Sequence, residues 1–455
     1  MTILNNLLDK YNVAVPRYTS YPTVPFWNGT IDRQQWKRAF QQQFISKNKV
    51  DGISLYLHLP FCESMCTYCG CNKKIITNHS VEEEYIDTIL KEWSIYLAFM
   101  EEAPIIRELH LGGGTPTFFS PENLTRLLES IFKTAVIHPL HEFSFEGHPN
   151  NTTRCHLQAL YNLGFRRVSY GVQDNDPEVQ RIINRVQPIE NVQVATDTAR
   201  AIGFKSVNFD LIYGLPLQNM ERMKKTILQA IKMKPDRIAF YSYAHVPWTS
   251  RGQRLFDEKD LPSTEEKMQF YQLGKTLFTE HGYINIGMDH FALPTDDLSK
   301  AHEQGKLHRN FMGYTTQHTS IIIGLGVSSI SDAGIAFAQN EKTLNNYTAA
   351  INNNELAVYR GYFLTPEDIA FRNYILDISC RGTTIFRQQD MNTLQELCFA
   401  ELEKMAADDL LHFNIDGLVL TSTGLNFIRN VCSAFDLNLL RKGLHTSNPV
   451  FSKAI

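Results

Sequence analysis

The chain has 455 residues, of which 43% are hydrophobic and 20% charged, and its formal net charge is -4. This length fits one large domain and a second, smaller one, and the charge gives no electrostatic case for binding nucleic acid or an anionic membrane. No apolar run approaches a membrane span, and Met1 to Val13 lack the apolar core of a signal peptide, so we predict a cytoplasmic protein.

The first 50 residues precede the first predicted strand. Within them, Pro16 to Thr23 form a proline-bracketed, aromatic-rich segment that disfavours a regular helix. Two interpretations stay open for this N-terminal arm, namely a segment packed on the domain and a lid over a pocket.

Strands and helices then alternate along about 200 residues. Helices are predicted at residues 81–101 and 153–163, where apolar side chains recur with a helical period. The predicted strands span residues 53–59, 108–111, 142–146, 167–172, 206–212 and 237–242. Six strand–helix units predict a parallel α/β sheet, either a barrel or an open doubly wound sheet. Polar and glycine-rich motifs follow these strands, which is where such sheets carry their active sites.

Beyond about residue 250 the alternation loosens. Strands are predicted at residues 284–290 and 320–325, and a capped helix begins at Thr365-Pro366. Asp416-Gly417 marks a hairpin within residues 411–424. We therefore predict an arm over residues 1–50, a barrel with its extension over residues 51–360, and a mainly helical, winged-helix-like domain over residues 361–455. The even charge of this last domain argues against DNA binding.

Four of the eight cysteines, Cys62, Cys66, Cys69 and Cys71, fall within ten residues. The spacing C-x3-C-x2-C suits three corners of a [4Fe-4S] cluster. A structural zinc site would need a second short-spaced pair of ligands, and none follows. Cys71 stays ambiguous, since it could be a fourth ligand or stand beside an open iron. The other cysteines are scattered singly, which is typical of reduced thiols.

The C-x3-C-x2-C motif resembles the signature of the radical S-adenosylmethionine (SAM) enzymes. The string from Tyr56 through Cys62, continued by Cys71-Asn72-Lys73, is similar to one family among them, the oxygen-independent coproporphyrinogen III oxidases of heme biosynthesis. The resemblance implies an open, six-unit, three-quarter TIM-like barrel. It also implies one [4Fe-4S] cluster held by Cys62, Cys66 and Cys69, with Cys71 as a candidate catalytic residue. In that family the open iron chelates SAM, and an electron from the cluster cleaves it to methionine and a 5′-deoxyadenosyl radical.

The resemblance further implies two SAM molecules. The residues that it assigns to the first are Tyr56, Gly113, Gly114, Thr115, Glu146 and Ile330. The residues that it assigns to the second are Tyr68, Gln173, Arg185, Asp210 and Ala244. The sequence departs from many members of the family on either side of one proline. Those members have an acidic and a basic residue at these two positions, whereas this chain has His148 and Asn150. His308 and Arg309 are candidates for contacting the propionates of the substrate.

The implied reaction is the oxidative decarboxylation of two propionates of coproporphyrinogen III to vinyl groups, giving protoporphyrinogen IX. Its partners would be this substrate, a reductant for the cluster and an unidentified electron acceptor, and we expect a monomer. Three rivals stay open. A heme chaperone of the same superfamily would lack the arm and Cys71. An enzyme for another tetrapyrrole is supported only by His148 and Asn150, and an electron carrier would leave the polar motifs unexplained.

Overall fold

The computed structural model of the protein describes residues 2–27, 29, 31–248, 250–442 and 451. Its strands are β1 Ile53–Leu59, β2 Phe61–Cys62, β3 Lys74–Ile75, β4 Ile105–Gly113, β5 Val136–Gly147, β6 Arg167–Gln173, β7 Ser206–Tyr213, β8 Arg237–Ser242, β9 Ile284–Gly287, β10 His290–Ala292, β11 His308–Asn310, β12 Gly313–Thr315, β13 Ile322–Leu325, β14 Ile330–Asp332, β15 Ala336–Asn340, β16 Val358–Phe363, β17 Thr383–Ile385, β18 Leu411–Phe413 and β19 Gly417–Leu420. Its helices are α1 Thr2–Tyr11, α2 Arg33–Asp51, α3 Val81–Leu97, α4 Pro121–Phe132, α5 Arg154–Asn162, α6 Pro177–Ile182, α7 Ile189–Ile202, α8 Met220–Lys232, α9 Thr264–Glu280, α10 Asp297–Glu303, α11 Leu344–Asn352, α12 Pro366–Arg381, α13 Met391–Thr393, α14 Phe399–Ala407, α15 Ile428–Ser433 and α16 Leu437–Lys442.

One twelve-stranded sheet organises the described chain, in the order β16-β15-β14-β13-β1-β4-β5-β6-β7-β8-β10-β9. The six predicted strands of the barrel, β1, β4, β5, β6, β7 and β8, are parallel neighbours in chain order. No pairing joins β16 to β9 within the described residues, so the sheet is open. The predicted α/β fold with an open six-unit barrel is confirmed.

Along β7, apolar side chains that face the core alternate with polar side chains that face the inside of the barrel, and this alternation positions the site. In β7, Val207, Phe209 and Leu211 are buried in the core that the sheet shares with the helices. Asn208 and Asp210 alternate with them and line a cavity inside the open barrel. Because successive side chains of a strand point to opposite faces, a polar residue at every second position gives this cavity a polar wall.

The strand predicted at residues 284–290 is wrong as a single strand. The structure has an antiparallel hairpin there, in which β9 pairs with β10 and β10 pairs with β8. Gly287 and Met288 both adopt left-handed backbone conformations, with φ of 140° and 44°, and these end β9. The strand predicted at residues 320–325 corresponds to β13, which pairs in parallel with β1 and adds a seventh parallel strand.

The C-terminal region is mainly helical and contains the predicted hairpin. β18 and β19 pair across the turn that holds Asp416, and β17 pairs with the other edge of β19. The hairpin prediction is confirmed. The boundaries of the three predicted domains stay a prediction. None of the described helices is long and apolar enough to cross a membrane.

The N-terminal segment contains more regular structure than an arm. The helix α2 has 19 residues and buries Trp36, Phe40 and Phe44. Between α1 and α2, two tyrosines of the arm bind the C-terminal region. The Tyr18 hydroxyl donates to Asp436 at 3.1 Å, and the Leu437 amide donates to the Tyr21 hydroxyl at 3.1 Å. Both rings are buried against the C-terminal helices. Their hydroxyl groups have fixed hydrogen-bond partners there, which they would lack at a solvent-filled opening.

A buried carboxyl group ties α3 to the extension of the sheet. Glu92 is fully buried and accepts hydrogen bonds from the Gly326 amide at 2.8 Å, the Asn340 amide at 2.6 Å and the Tyr347 hydroxyl at 2.6 Å. Burial raises the pKa of Glu92 from 4.5 to about 7, although these hydrogen bonds oppose the change.

Glu92 should make the stability of the fold depend on pH. As pH rises from about 4.5 to about 7, the unfolded carboxyl loses its proton before the folded one does, so the contribution of this group to the free energy of unfolding falls. Glu92→Gln should flatten this fall, measured as the urea midpoint of cluster-free protein against pH. Glu83→Gln, at an exposed position of the same helix, is the control. Equal slopes in the two variants would contradict the assignment.

Candidate active site

The loop that carries four cysteines follows β1 at the carboxyl edge of the sheet. The Cys62 sulfur lies 3.3 Å from the Thr115 hydroxyl, and Arg185 Nη1 lies 3.6 Å from the Cys66 sulfur. Lys73 Nζ donates to the Cys69 carbonyl at 3.0 Å. Each of the three motif cysteines therefore has a polar or cationic group beside it.

The surroundings of the cysteines raise the pKa of some thiols and lower the pKa of another. Burial raises the pKa of Cys62, although the hydrogen bond with Thr115 opposes this. A hydrogen bond from Cys71, followed by the charge of Lys73, lowers the pKa of Cys69 to about 6 despite its burial. The same Cys69–Cys71 hydrogen bond raises the pKa of Cys71, whose residue lies exposed at the surface of the loop. The pKa of Cys69 is thus lowered and that of Cys71 raised, and a lowered thiol pKa favours the thiolate form that metals bind.

The donor set fits an iron–sulfur cluster better than a single ion. Within the described residues, no group of three or more His, Cys, Asp or Glu side chains is spaced to hold one metal ion. Each thiolate of a [4Fe-4S] cluster binds a different iron, so the ligands need not converge on one point. Arg185 and Lys73 supply positive charge beside the loop, which suits an anionic cluster.

A glycine turn after β4 fastens the cysteine loop to the sheet. The Gly114 amide donates to the Leu59 carbonyl at 2.8 Å, and the Thr115 amide donates to the Phe61 carbonyl at 3.0 Å. A side chain at Gly114 would bring its Cβ to 2.5 Å from the Pro60 carbonyl. Gly113 has a φ of 116°, which side chains rarely adopt. Only glycines allow the two backbones to approach this closely.

Glu146, at the end of β5, faces this turn. Its Oε2 accepts from the Gly113 amide at 3.2 Å, and its Oε1 lies 3.5 Å from His110 Nε2. Burial raises the pKa of Glu146, but the hydrogen bond and charge of His110, the Gly113 amide and the charge of His58 together outweigh it, so the net pKa is lowered. The Tyr56 ring stacks on His110 at 6.0 Å. Ile330 packs against Gly324, the β13 residue paired with Tyr56.

A second polar set lies after β6 and β7. Gln173 has a left-handed backbone with a φ of 66°, and its buried Oε1 has no hydrogen-bond partner in the described structure. Arg185 Nη2 donates to the Gly171 carbonyl at 2.6 Å, but its Nε is buried without an acceptor. A Cβ at Gly171 would lie 2.6 Å from Gln173 Nε2 and 2.9 Å from Arg185 Nη2, so both side chains crowd one point. Buried polar groups without partners indicate a ligand that completes them.

Asp210 lies beside this second set in β7. It accepts from Asn208 Nδ2 at 2.8 Å and from the Ser169 hydroxyl at 3.1 Å. Burial and the charge of Glu146 raise the pKa of Asp210 to about 7, against these hydrogen bonds. Asp210 can therefore accept or donate a hydrogen bond near neutral pH.

Gln253, a residue without any signal in the sequence, links Tyr68 and Ala244. Gln253 Nε2 donates to both backbone carbonyls, at 3.1 Å each, and Gln253 Oε1 accepts from the Val246 amide at 2.6 Å. Gln253 is 2% exposed and lies in a loop without a recognisable motif. Nothing short of the folded loop would have revealed it.

His148 and Asn150 stabilise the turn after β5. The Asn150 amide donates to His148 Nδ1 at 3.1 Å, and Asn150 Nδ2 donates to the Val186 carbonyl at 3.0 Å. Burial, with the charge of Arg185, lowers the pKa of His148 to about 3, so this ring is neutral. Of the two substrate candidates, His308 packs its ring on His318 at 4.6 Å, whereas Arg309 is buried beside the arm.

The chain is similar to proteins of known activity over nearly its whole length. Residues 56–230 match the family model of the radical SAM superfamily. The oxygen-independent coproporphyrinogen III oxidase of Synechocystis is 35% identical over 99% of this chain and 97% of that protein. The corresponding protein of Escherichia coli is 37% identical over 96% and 95%, and that of Helicobacter pylori is 38% identical over 95% and 96%. The solved structure of the coproporphyrinogen III oxidase of Escherichia coli, described as a radical SAM enzyme, superposes with a TM-score of 0.86 at 35% identity, covering 93% of this chain and 98% of that one.

The contact between the glycine turn and the cysteine loop can be tested without touching a cysteine. Gly114→Ala places a methyl group against the Pro60 and Phe61 carbonyls and should displace the loop, so reconstituted protein should hold much less iron and sulfide per chain. Gly70→Ala is the matched control in the same loop, since its Cβ would meet nothing within 4 Å. Full iron content in Gly114→Ala would show that the turn does not position the loop.

Proposed function

The chain belongs to the oxygen-independent coproporphyrinogen III oxidase family of the radical SAM superfamily, and from this membership we propose the details of its site. It is a radical SAM oxidoreductase of porphyrin biosynthesis. Its reaction is the oxidative decarboxylation of two propionates of coproporphyrinogen III to vinyl groups, giving protoporphyrinogen IX. The observation that carries the proposal is the pair of polar ligand sets, one around Glu146 at the glycine turn and one around Arg185 at the cysteine loop.

Cys62, Cys66 and Cys69 are the proposed cluster ligands, and Cys71 stands beside them. These residues would hold a cluster whose chemistry is one-electron reduction of SAM, which would provide the organic radical that takes a hydrogen from the substrate. The protein fixes the loop through the Gly114 and Thr115 amides, and Arg185 and Lys73 stabilise the negative charge of the thiolates.

Serine replacements should distinguish the three proposed cluster ligands from Cys71. Cys62→Ser, Cys66→Ser and Cys69→Ser should each remove the visible absorption of the reconstituted cluster together with reductive cleavage of SAM. Cys71→Ser should keep the cluster but impair vinyl formation. Cys155→Ser, at an exposed and isolated cysteine, is the control. Loss of the cluster in Cys71→Ser would instead favour ligation by four thiolates.

Two SAM molecules are proposed, one for each polar set. Tyr56, Gly113, Gly114, Thr115, Glu146 and Ile330 would surround the first. Tyr68, Gln173, Arg185, Asp210 and Ala244 would surround the second. The unpartnered Arg185 Nε and Gln173 Oε1 support this second position, because a polar ligand would supply the missing acceptor and donor. Asp210 suits ribose hydroxyls, and Arg185 suits a carboxylate.

Binding stoichiometry tests the second position. Arg185→Ala and Asp210→Ala should each lower SAM binding from two molecules per chain to about one, since each contact with a charged group contributes roughly 1.5–3 kcal/mol. Cluster content should not change in Asp210→Ala, which leaves Arg185 in place beside Cys66. Arg181→Ala, at an exposed arginine of the preceding helix, should still bind two. A wild-type stoichiometry of one, in anaerobic equilibrium dialysis, would contradict the assignment.

The N-terminal arm is proposed to cover the cavity after the substrate binds, because a radical reaction must exclude water and oxygen. Its contacts support this role. Arg17 Nη1 pairs with Asp289 at 3.1 Å, and Arg17 Nη2 donates at 2.9 Å to the carbonyl of Ser242, the last residue of β8. Tyr18 and Tyr21 would then anchor the arm on the C-terminal helices. Arg17 is the residue of the arm that this proposal places at the rim of the cavity.

A further inference from the structure

Three aromatic side chains form one wall of the cavity inside the open barrel. Tyr241, His290 and Tyr314 come from β8, β10 and β12 and line this cavity. The His290 ring meets the Tyr241 ring edge-on at 5.8 Å and the Tyr314 ring edge-on at 5.2 Å. We name these three side chains the aromatic wall.

An arginine lies at each end of the aromatic wall. The Arg17 guanidinium stands 5.6 Å from the centre of the Tyr241 ring, and the Arg309 guanidinium stands 4.7 Å from the centre of the Tyr314 ring. Cations over aromatic faces are favourable contacts, and they leave the N–H groups free to bind a further ligand. The wall therefore combines flat apolar faces with two positive charges.

The two arginines differ in how their charge is balanced. Arg17 pairs with Asp289, and two other arginines near the cavity are also paired, Arg167 with Glu142 and Arg237 with Asp296. Arg309 is 7% exposed, and no carboxylate of the described residues lies within ion-pair distance of it. A buried guanidinium without a counter-ion is costly, so such a residue indicates an anion that binds in another state of the protein.

The hydrogen bonds of Arg309 indicate the kind of anion. Its Nη2 donates to the Arg17 carbonyl at 3.1 Å, whereas Nε and Nη1 have no acceptor in the described structure. Nη2 lies between these two groups in the planar guanidinium. An acceptor that replaces the Arg17 carbonyl can therefore bind Nη2 together with one of them, which is the two-pronged geometry of a carboxylate.

A second unpartnered group lies next to this position. His290 Nδ1 is buried without a hydrogen-bond partner in the described part of the chain. Burial and the charge of Arg309 lower the pKa of His290 to about 3, so its ring is neutral and can donate a hydrogen bond to an oxygen or accept one.

We propose that Arg309 is a carboxylate-binding residue of the substrate cavity. It would take one propionate of the tetracarboxylate macrocycle, whose ring edge lies along the aromatic wall. This assignment rests on the proposed function, since that function supplies a substrate with carboxylates. The arm covers Arg309 in this structure through the Arg17 carbonyl, so the carboxylate displaces that carbonyl when it binds, and the Arg17 side chain stays at the opposite end of the wall.

A simpler role for Arg309 would be to anchor the arm. The chain offers a matched control for that role, because Arg429 does the same for neighbouring carbonyls. Arg429 is 8% exposed, and it donates to the Pro16 carbonyl at 3.3 Å and to the Val15 carbonyl at 2.5 Å. A defect that comes only from loosening the arm should therefore appear in both Arg309→Met and Arg429→Met.

The test measures binding of coproporphyrin III, the stable oxidised form of the substrate, and of its neutral tetramethyl ester. Binding is followed by quenching of protein fluorescence in the cluster-loaded wild type and three variants. Arg309→Met should lower the ratio of acid to ester affinity by about 10- to 100-fold, the effect of losing a charged hydrogen-bonded pair. Arg309→Lys should recover part of the ratio, and Arg429→Met should leave the ratio at its wild-type value. Iron content and 5′-deoxyadenosine formation report whether each variant is folded and loaded.

Three results would overturn the assignment, and they can be told apart. An unchanged acid-to-ester ratio in Arg309→Met, with the wild type preferring the acid, would reject Arg309 alone. An equal fall of the ratio in Arg429→Met would also reject it and would identify the arm as the cause. A wild type that binds neither compound, or binds both equally, would reject the proposed function together with this residue.

Discussion

The site depends on two backbone hydrogen bonds that continue the sheet beyond the ends of its strands. The carbonyls of Leu59 and Phe61 would be unpaired where β1 leaves the sheet, and the amides of Gly114 and Thr115 pair with them. Buried backbone carbonyls need hydrogen-bond partners, so the fold requires this pairing whether or not a ligand is bound. It fixes the start of the cysteine loop against the glycine turn, and the Gly113 amide of the same turn holds Glu146.

Among the described residues, the protein does not supply a partner for every buried polar group around this part of the barrel. Arg237 and Arg167 have acidic partners, while Arg185, Gln173, His290 and Arg309 keep buried groups without partners in the described structure. His290 lines the cavity and Arg309 lies over Tyr314 of the aromatic wall, whereas Arg185 and Gln173 lie at the end of β6 beside the cysteine loop. Since unpaired buried groups destabilise a fold, these four indicate positions that ligands would complete.

The sequence predicted the parts of the fold that repeat. The alternation of strands and helices gave the six parallel strands, because periodicity and handed crossovers are local properties. It did not reveal that residues 284–292 turn back at Gly287 and Met288, nor that Tyr18 and Tyr21 bind the C-terminal helices. Gln253 could not be found either. Its importance comes from two carbonyls that lie 185 and 9 residues away along the chain and meet only in the folded loop.

The second proposed ligand set and the cysteine loop share one side chain, and this sharing bears on how they work together. Arg185 reaches the Cys66 sulfur with Nη1 and the Gly171 carbonyl with Nη2, so its guanidinium spans the cysteine loop and the end of β6. An anion at its free Nε would draw on the same positive charge that stabilises the thiolate. Under the proposed function, occupation of the second SAM position is therefore coupled electrostatically to the cluster. The coupling passes through a single buried arginine, with no movement of the sheet required.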